Sequence, residues 1–361
     1  MTVRARWLAV PTAAALLASS AASQTPTPIM PQFSADGTVR VSTFELPVSD
    51  FSSEEAKIQQ RARARMPAMQ ATSQEPDIVT RRAQLDRYFA PRVAEMLKRY
   101  PVDMTEGRIA GVRVKVFTPK GRPALKDRLL VNLHGGGFTV CWESCSQIES
   151  IPIAALGGYK VISIDYRMGP ETRHPAGVED VAAVWRELIK TTRPSRIGVY
   201  GCSAGGSLTA QTAAWLPAHG LPQIGAIGIF GAGAVRFESG DSNYIAAAVD
   251  GSFGPPLKVG ERRADMTRGY FDGAEQDGPI LAAAKYPAVL AKFPPALIIT
   301  GTRAMDLSPA IVTNSALLKA GRRSTLIVGE AMGHCYIMSP ELPEAQDAYA
   351  AIVAHFRDNL R

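Results

Sequence analysis

The sequence predicts an α/β domain: a mostly parallel central sheet with helices on both faces. Three observations predict it. Short continuous apolar runs, such as 128–133, 224–230 and 296–301, alternate with longer helical stretches, the pattern of strands covered on both sides and joined by crossover helices. The runs end in glycine- or proline-rich loops. One such loop is Gly201-Cys202-Ser203-Ala204-Gly205-Gly206. Its G-x-S-x-G form sits between a β-prone run, 196–200, and an apolar helical stretch, 207–216.

The elements follow in order. Residues 1–23 read as a secretory signal: Arg4 and Arg6 precede an apolar run, 7–18, too short to span a bilayer, and Ala21-Ala22-Ser23 forms a small-residue cleavage site before Gln24. Residues 24–104 read as an exposed lead-in followed by helices at 53–69 and 77–99, the latter with Ile78, Leu85, Tyr88, Phe89, Val93, Met96 and Leu97 on one face. These helices are expected to pack on the domain or to form part of a lid. The domain proper is expected over 105–361. Its first strand is read at 109–119, where Val112, Val114 and Val116 alternate, and its second at 128–133.

Next comes His134-Gly135-Gly136-Gly137-Phe138. Without Cβ atoms, a glycine backbone can approach a ligand closely and aim N–H donors at it. His134 is expected to order this loop and not to act as a base. A helix at 147–158, a strand at 160–165, a proline-rich loop through His174 and a helix at 178–190 lead to the serine turn. Residues 231–293 break the rhythm with many Gly, Asp and Pro residues and several aromatics, Phe237, Tyr270 and Phe271 among them, and are expected to form a cap insertion. A strand at 296–301, a helix at 309–320, a strand at 324–328 and a helix at 344–360 complete the chain.

The formal charge of +7 across 361 residues is not concentrated in a basic run interleaved with aromatics, so no nucleic-acid partner is expected. Nothing after the leader is long and apolar enough to span a membrane. Export makes the four cysteines candidates for disulfides. Three full pairings are open, a Cys141–Cys145 bridge in a loop is geometrically allowed, and buried free thiols are the alternative. No Cys or His pair has the flanking ligands of a metal site, and no cofactor is implied.

A serine hydroxyl needs a histidine to take its proton and a carboxylate to orient that histidine. Of five histidines, His219 and His355 read as surface positions in or after helices, and His174 could line a pocket. His334 alone follows a late strand in a glycine-flanked loop. Asp306 follows the strand before it. The chain order Ser203, Asp306, His334, each after a different strand, allows all three to meet at the carboxyl edge of a parallel sheet. A charge at a helix N-terminus is the other reading of Asp306.

The glycine loop, Asp165-Tyr166-Arg167 with Pro170-Glu171 and Pro175-Ala176, and Gly201-Cys202-Ser203-Ala204-Gly205-Gly206 resemble the hormone-sensitive-lipase family of α/β-hydrolases over roughly residues 105–360. The resemblance implies an α/β-hydrolase fold with a helical cap. It implies a carboxylesterase or lipase with a small-molecule ester substrate, and Gly136, Gly137 and Ala204 as oxyanion-hole donors. Phe138, Trp142 and Tyr336 are expected to line the acyl or alcohol pocket. Two departures stand out. Cys202 occupies the place of the family's aspartate. The family's acid position falls on Ala304, so Asp306 serves if its loop reshapes, and otherwise the acid is missing; reshaping is the expectation. A binding protein on the same fold, an acyltransferase and an amidase are the alternatives, and a homodimer is left open.

Overall fold

Strand β5 (Leu129–Leu133) is buried at every position, and its residues divide between two cores. Leu129, Val131 and Leu133 face one; Leu130 faces the other. That division follows from the two-residue period of a strand covered on both sides. Strand β7 (Ile197–Cys202) does the same, with Ile197 and Val199 on the first face and Tyr200 and Cys202 on the second.

This computed structural model describes residues 31–41, 45–63, 77–250, 257–261 and 263–361. The signal segment read at 1–23 lies outside them. The chain divides into two units, 1–47 and 48–361. Of the first, the described part holds an antiparallel pair, β1 (Gln32–Phe33) and β2 (Val39–Arg40).

The second unit begins with α1 (Glu54–Arg63) and α2 (Ile78–Arg99). It carries an eight-stranded sheet in the order β10-β9-β8-β7-β5-β6-β4-β3. The remaining strands are β3 (Val102–Ile109), β4 (Val112–Pro119), β6 (Lys160–Ile164), β8 (Ala226–Phe230), β9 (Ala296–Gly301) and β10 (Ser324–Gly329). From β6 through β10 every pairing is parallel; β3 and β4 are antiparallel additions at one edge. Helices α4 (Ala176–Leu188), α5 (Ala204–Ala218) and α8 (Leu307–Lys319) contribute to the first core. Helices α2, α3 (Trp142–Gly157) and α9 (Pro343–Asn359) contribute to the second. Each large aliphatic side chain buried there contributes about 1.5–3 kcal/mol.

Several expectations change. The strand read at 109–119 is the second arm of a hairpin whose first arm, β3, is polar and mostly exposed, as an edge strand can be. Helix α3 begins at Trp142, five residues before the expected start. Of the seven residues assigned to one face of α2, Met96 is buried while Tyr88 and Leu97 are exposed. Between 231 and 293 the described residues form little regular structure: α6 (Ile245–Asp250), α7 (Pro287–Leu290) and short 3₁₀ turns. Among the described residues no helix is long and apolar enough to cross a membrane.

Candidate active site

Because β5, β7, β8, β9 and β10 run parallel, the loops that follow them open on one edge of the sheet. Ser203 stands between β7 and α5 with φ 59° and ψ −121°, a strained conformation for a residue with a Cβ. Its N–H donates to Phe230 O at 2.8 Å, tying the turn to the end of β8. The flanking glycines are required by close approach. A Cβ on Gly201 would lie 2.0 Å from Leu133 O, and one on Gly205 only 1.7 Å from the same oxygen. Ala204 is the first residue of α5, and the first N–H groups of a helix have no intrahelical partner.

Asp306 ends the loop after β9. It occupies the N-cap position of α8 but makes no side-chain capping bond. Its fully buried carboxylate turns the other way: Oδ1 lies 2.6 Å from His334 Nδ1, and Oδ2 accepts from Thr300 Oγ1 at 2.5 Å. Around Ala304 and Asp306 the chain makes two tight turns, in which Ala304 N donates to Gly301 O and Leu307 N to Ala304 O. With Nδ1–H donating to Asp306, a neutral imidazole presents Nε2 as an acceptor.

Disulfides resolve the cysteine question: Cys141–Cys145 and Cys202–Cys335. The first staples the opening turn of α3, not a loop. The second joins the residue before Ser203 to the residue after His334, with their Cα atoms 6.2 Å apart. Serine and imidazole therefore share one rim of the sheet. Consistently, a Cβ on Gly231 would meet His334 Cε1 at 3.1 Å and Cys202 Sγ at 3.2 Å. The bond closes a sequence separation of 133 residues. Constraining an unfolded loop of that size is worth about 5 kcal/mol in the chain-entropy relation. Breaking it with the paired substitutions Cys202→Ala and Cys335→Ala is expected to lower the melting temperature by on the order of 5–10 °C. Differential scanning calorimetry with and without a dithiol reductant checks this.

The glycine loop lies beside the serine: a Cβ on Gly135 would come within 3.5 Å of Ser203 Cβ. Gly136, at φ 113°, could not carry a side chain, because its Cβ would lie 2.1 Å from Val140 O. Among the described residues the N–H groups of Gly136 and Gly137 donate to no protein acceptor. His134 is buried, stacks on Tyr166 and has Nδ1 2.7 Å from Gly135 O; burial holds its pKa down at about 4. It is thus a neutral loop-ordering residue. Behind the loop stands Glu149 of α3, which sequence reasoning did not single out. Its carboxylate accepts from Gly135 N, Asn132 Nδ2 and Cys202 N at 2.9, 3.0 and 3.1 Å. Burial, outweighing those bonds, pushes its pKa up to about 7.

The aromatic residues separate. Phe138 stacks on Tyr270 and packs edge-on against Phe271, so residues 270–271 reach the glycine loop. Trp142 has Lys115 Nζ over its ring and lines a cavity of about 410 Å³ with Arg82, Arg113 and Glu171. Tyr336 packs into the core beneath the sheet with Met332 and Tyr349. The ring of Phe237 sits 5.3 Å from that of His334. His174 lies 5.6 Å from the Phe271 ring. His219 is exposed, but His355 is not the surface residue expected: Nε2 lies 3.1 Å from Ile227 O. A wider cleft of about 730 Å³ is lined by Ser195, Gly225 and Pro295, at the amino edge of the sheet and away from this chemistry. Among the described residues no group of three or more His, Cys, Asp or Glu could hold a metal ion.

Residues 130–338 match the family model described as alpha/beta hydrolase fold. An acetyl-hydrolase of Streptomyces hygroscopicus is 29% identical over 245 residues, 65% of this chain and 78% of the relative. Among solved structures, an esterase E25 superposes with a TM-score of 0.75 at 27% identity, covering 89% of this chain and 99% of that one. An esterase from the bacterial hormone-sensitive lipase family gives 0.70 at 26%, covering 86% and 99%. The chain belongs to the hormone-sensitive-lipase family of α/β-hydrolases, and it is an enzyme of the carboxylesterase type.

Proposed function

We propose that the protein hydrolyses carboxylic esters of short to medium acyl chain through an acyl-enzyme on Ser203. The observation that carries this reading is the 2.6 Å contact between His334 Nδ1 and the buried Asp306, in a loop bonded covalently to the serine turn. Ser203 Oγ attacks the ester carbonyl while His334 Nε2 takes its proton. Asp306 holds the tautomer and stabilises the imidazolium that forms. The carbonyl oxygen becomes an oxyanion and receives the N–H groups of Gly136, Gly137 and Ala204. The tetrahedral species collapses, the C–O bond to the alcohol breaks, and the departing oxygen takes the proton from His334. Water then enters, gives a proton to His334 and attacks the acyl carbonyl. The carboxylic acid leaves as Ser203 regains its proton.

The aromatic packing of Phe138, Tyr270 and Phe271 and the name of the acetyl-hydrolase relative support a modest acyl group. The two disulfides support work in an oxidising compartment after export. Stopped-flow hydrolysis of p-nitrophenyl acetate, butyrate and decanoate tests the reading. A burst of p-nitrophenol is expected with acetate or butyrate, and a kcat/KM for decanoate at least about tenfold lower. No turnover of any of the three esters refutes it.

A further inference from the structure

We propose that Glu149 is a positioning residue of this reaction: its carboxylate fastens the oxyanion loop to the serine turn. The inference rests on the esterase reading and deepens it.

Three separate segments donate to this one side chain. Oε1 accepts from Gly135 N, the first N–H of the glycine loop. Oε2 accepts from Cys202 N, one residue before Ser203, and from Asn132 Nδ2 on β5. Ser163 Oγ donates to Asn132 Oδ1 at 2.7 Å and so fixes the amide with its NH₂ toward the carboxylate. Tyr200 OH holds the Glu149 backbone oxygen at 3.1 Å. The side chain is 5% exposed. A Cβ on Gly135 would meet Glu149 Oε1 at 3.3 Å and Ser203 Cβ at 3.5 Å, so carboxylate, loop and nucleophile are contiguous.

The chemistry of the partners is one-sided. Every side-chain contact of Glu149 is an N–H donor, and the carboxylate form alone accepts on both oxygens. A neutral side chain of the same shape, whether the protonated acid or an amide, has one accepting end. It can hold the loop or the turn but not both. An anion buried without a basic partner among these contacts is costly. Its position between the two halves of the oxyanion machinery gives that cost a use. The N–H groups of Gly136, Gly137 and Ala204 must be aimed before the charge develops, and a loop free to shift against the turn loses that preorganisation.

The neighbouring titratable groups leave the window to Glu149. His134, on the loop after β5, is held at about 4 and is neutral above it. Tyr166, after β6, and Tyr200, on β7, are both raised by burial and stay neutral. Asp165, beyond Tyr166, is raised by burial to about 6 and does not touch the carboxylate. The Glu149 pKa is raised in the fold from 4.5 to about 7. The folded state therefore binds the extra proton, and the stability this group contributes is present below 4.5 and lost as pH rises through 7.

Glu149→Gln gives the test, with p-nitrophenyl acetate as substrate. At about pH 8.5 kcat is expected to fall about 10–100-fold with KM changed less than about threefold, as for an interaction made in the transition state. Toward about pH 5.5 the ratio of wild-type to variant kcat is expected to shrink at least about fivefold, because the protonated wild-type acid resembles the amide. At the higher pH the variant is expected to melt no lower than wild type. A purely structural role would lower the melting point and leave the ratio independent of pH. Glu149→Asp, which keeps the charge but shortens the reach, is expected to lose kcat as well and serves if the amide variant does not fold. A variant kcat within about threefold of wild type at the higher pH, or a ratio constant with pH, overturns the proposal while wild-type activity stands. A wild type inactive on the ester overturns the esterase reading together with it.

Discussion

Ser203→Ala lowers kcat for ester hydrolysis by on the order of 10⁶-fold, and His334→Ala does so about equally. The expectation follows from how the two act. Without the hydroxyl there is no atom to carry the acyl group; without Nε2 the hydroxyl keeps its proton at the moment of attack. The double substitution is expected to be no worse than either single one, because each alone dismantles the same step. What remains is hydrolysis by water at a site that keeps the proposed oxyanion donors, the N–H groups of Gly136, Gly137 and Ala204. KM is expected to change little, since neither side chain contributes much to holding the ground-state ester. Pre-steady-state kinetics on the two single variants and the double variant check all three statements. Additive losses would show that the two residues act in separate steps.

Asp306→Asn is expected to cost about 10³–10⁴-fold in kcat with KM within a few-fold of wild type. In the native protein Nδ1–H donates to Oδ1 at 2.6 Å while Thr300 Oγ1 donates to Oδ2. Thr300 Oγ1 goes on donating, as it does to the carboxylate, when the amide oxygen faces it. The NH₂ then faces Nδ1, which must become the acceptor. That choice puts the imidazole proton on Nε2, where the base has to be free. The loss is therefore one of tautomer, not of fold. The helix that starts at Leu307 does not depend on Asp306, whose side chain makes no capping bond. Steady-state kinetics alongside circular dichroism separate the two causes. Near-normal turnover in a folded variant would remove Asp306 from the mechanism.

The parallel part of the sheet was legible because its strands are continuous apolar runs. Strand β9 has the bounds expected for it, and β10 ends one residue later than expected. The serine turn was legible because backbone crowding demands small residues: Leu133 O leaves no space for a Cβ at Gly201 or Gly205. Other features carried no local signal. Strand β3 is polar because it lies at an edge with its middle exposed. The start of α3 was missed because Cys141-Trp142-Glu143-Ser144-Cys145 lacks helical periodicity, and a disulfide between its first-turn cysteines supports it instead. The Cys202–Cys335 pairing depends on β7 and β10 bringing their following loops together, which is a tertiary fact. Glu149 sits in an ordinary helical sequence, and only the backbone donors of two distant loops mark it as unusual. His355 looked like a surface residue because its helix position is polar; its ring turns inward to a carbonyl of β8.

The place where the covalent intermediate forms decides the mechanism. Treatment with a fluorophosphonate ester, followed by peptide mass mapping, reads this directly. One phosphonyl group on the peptide bearing Ser203, with p-nitrophenyl acetate turnover lost in proportion and labelling abolished in His334→Ala, is the predicted result. Stoichiometric labelling elsewhere, or full turnover with Ser203 blocked, would contradict it.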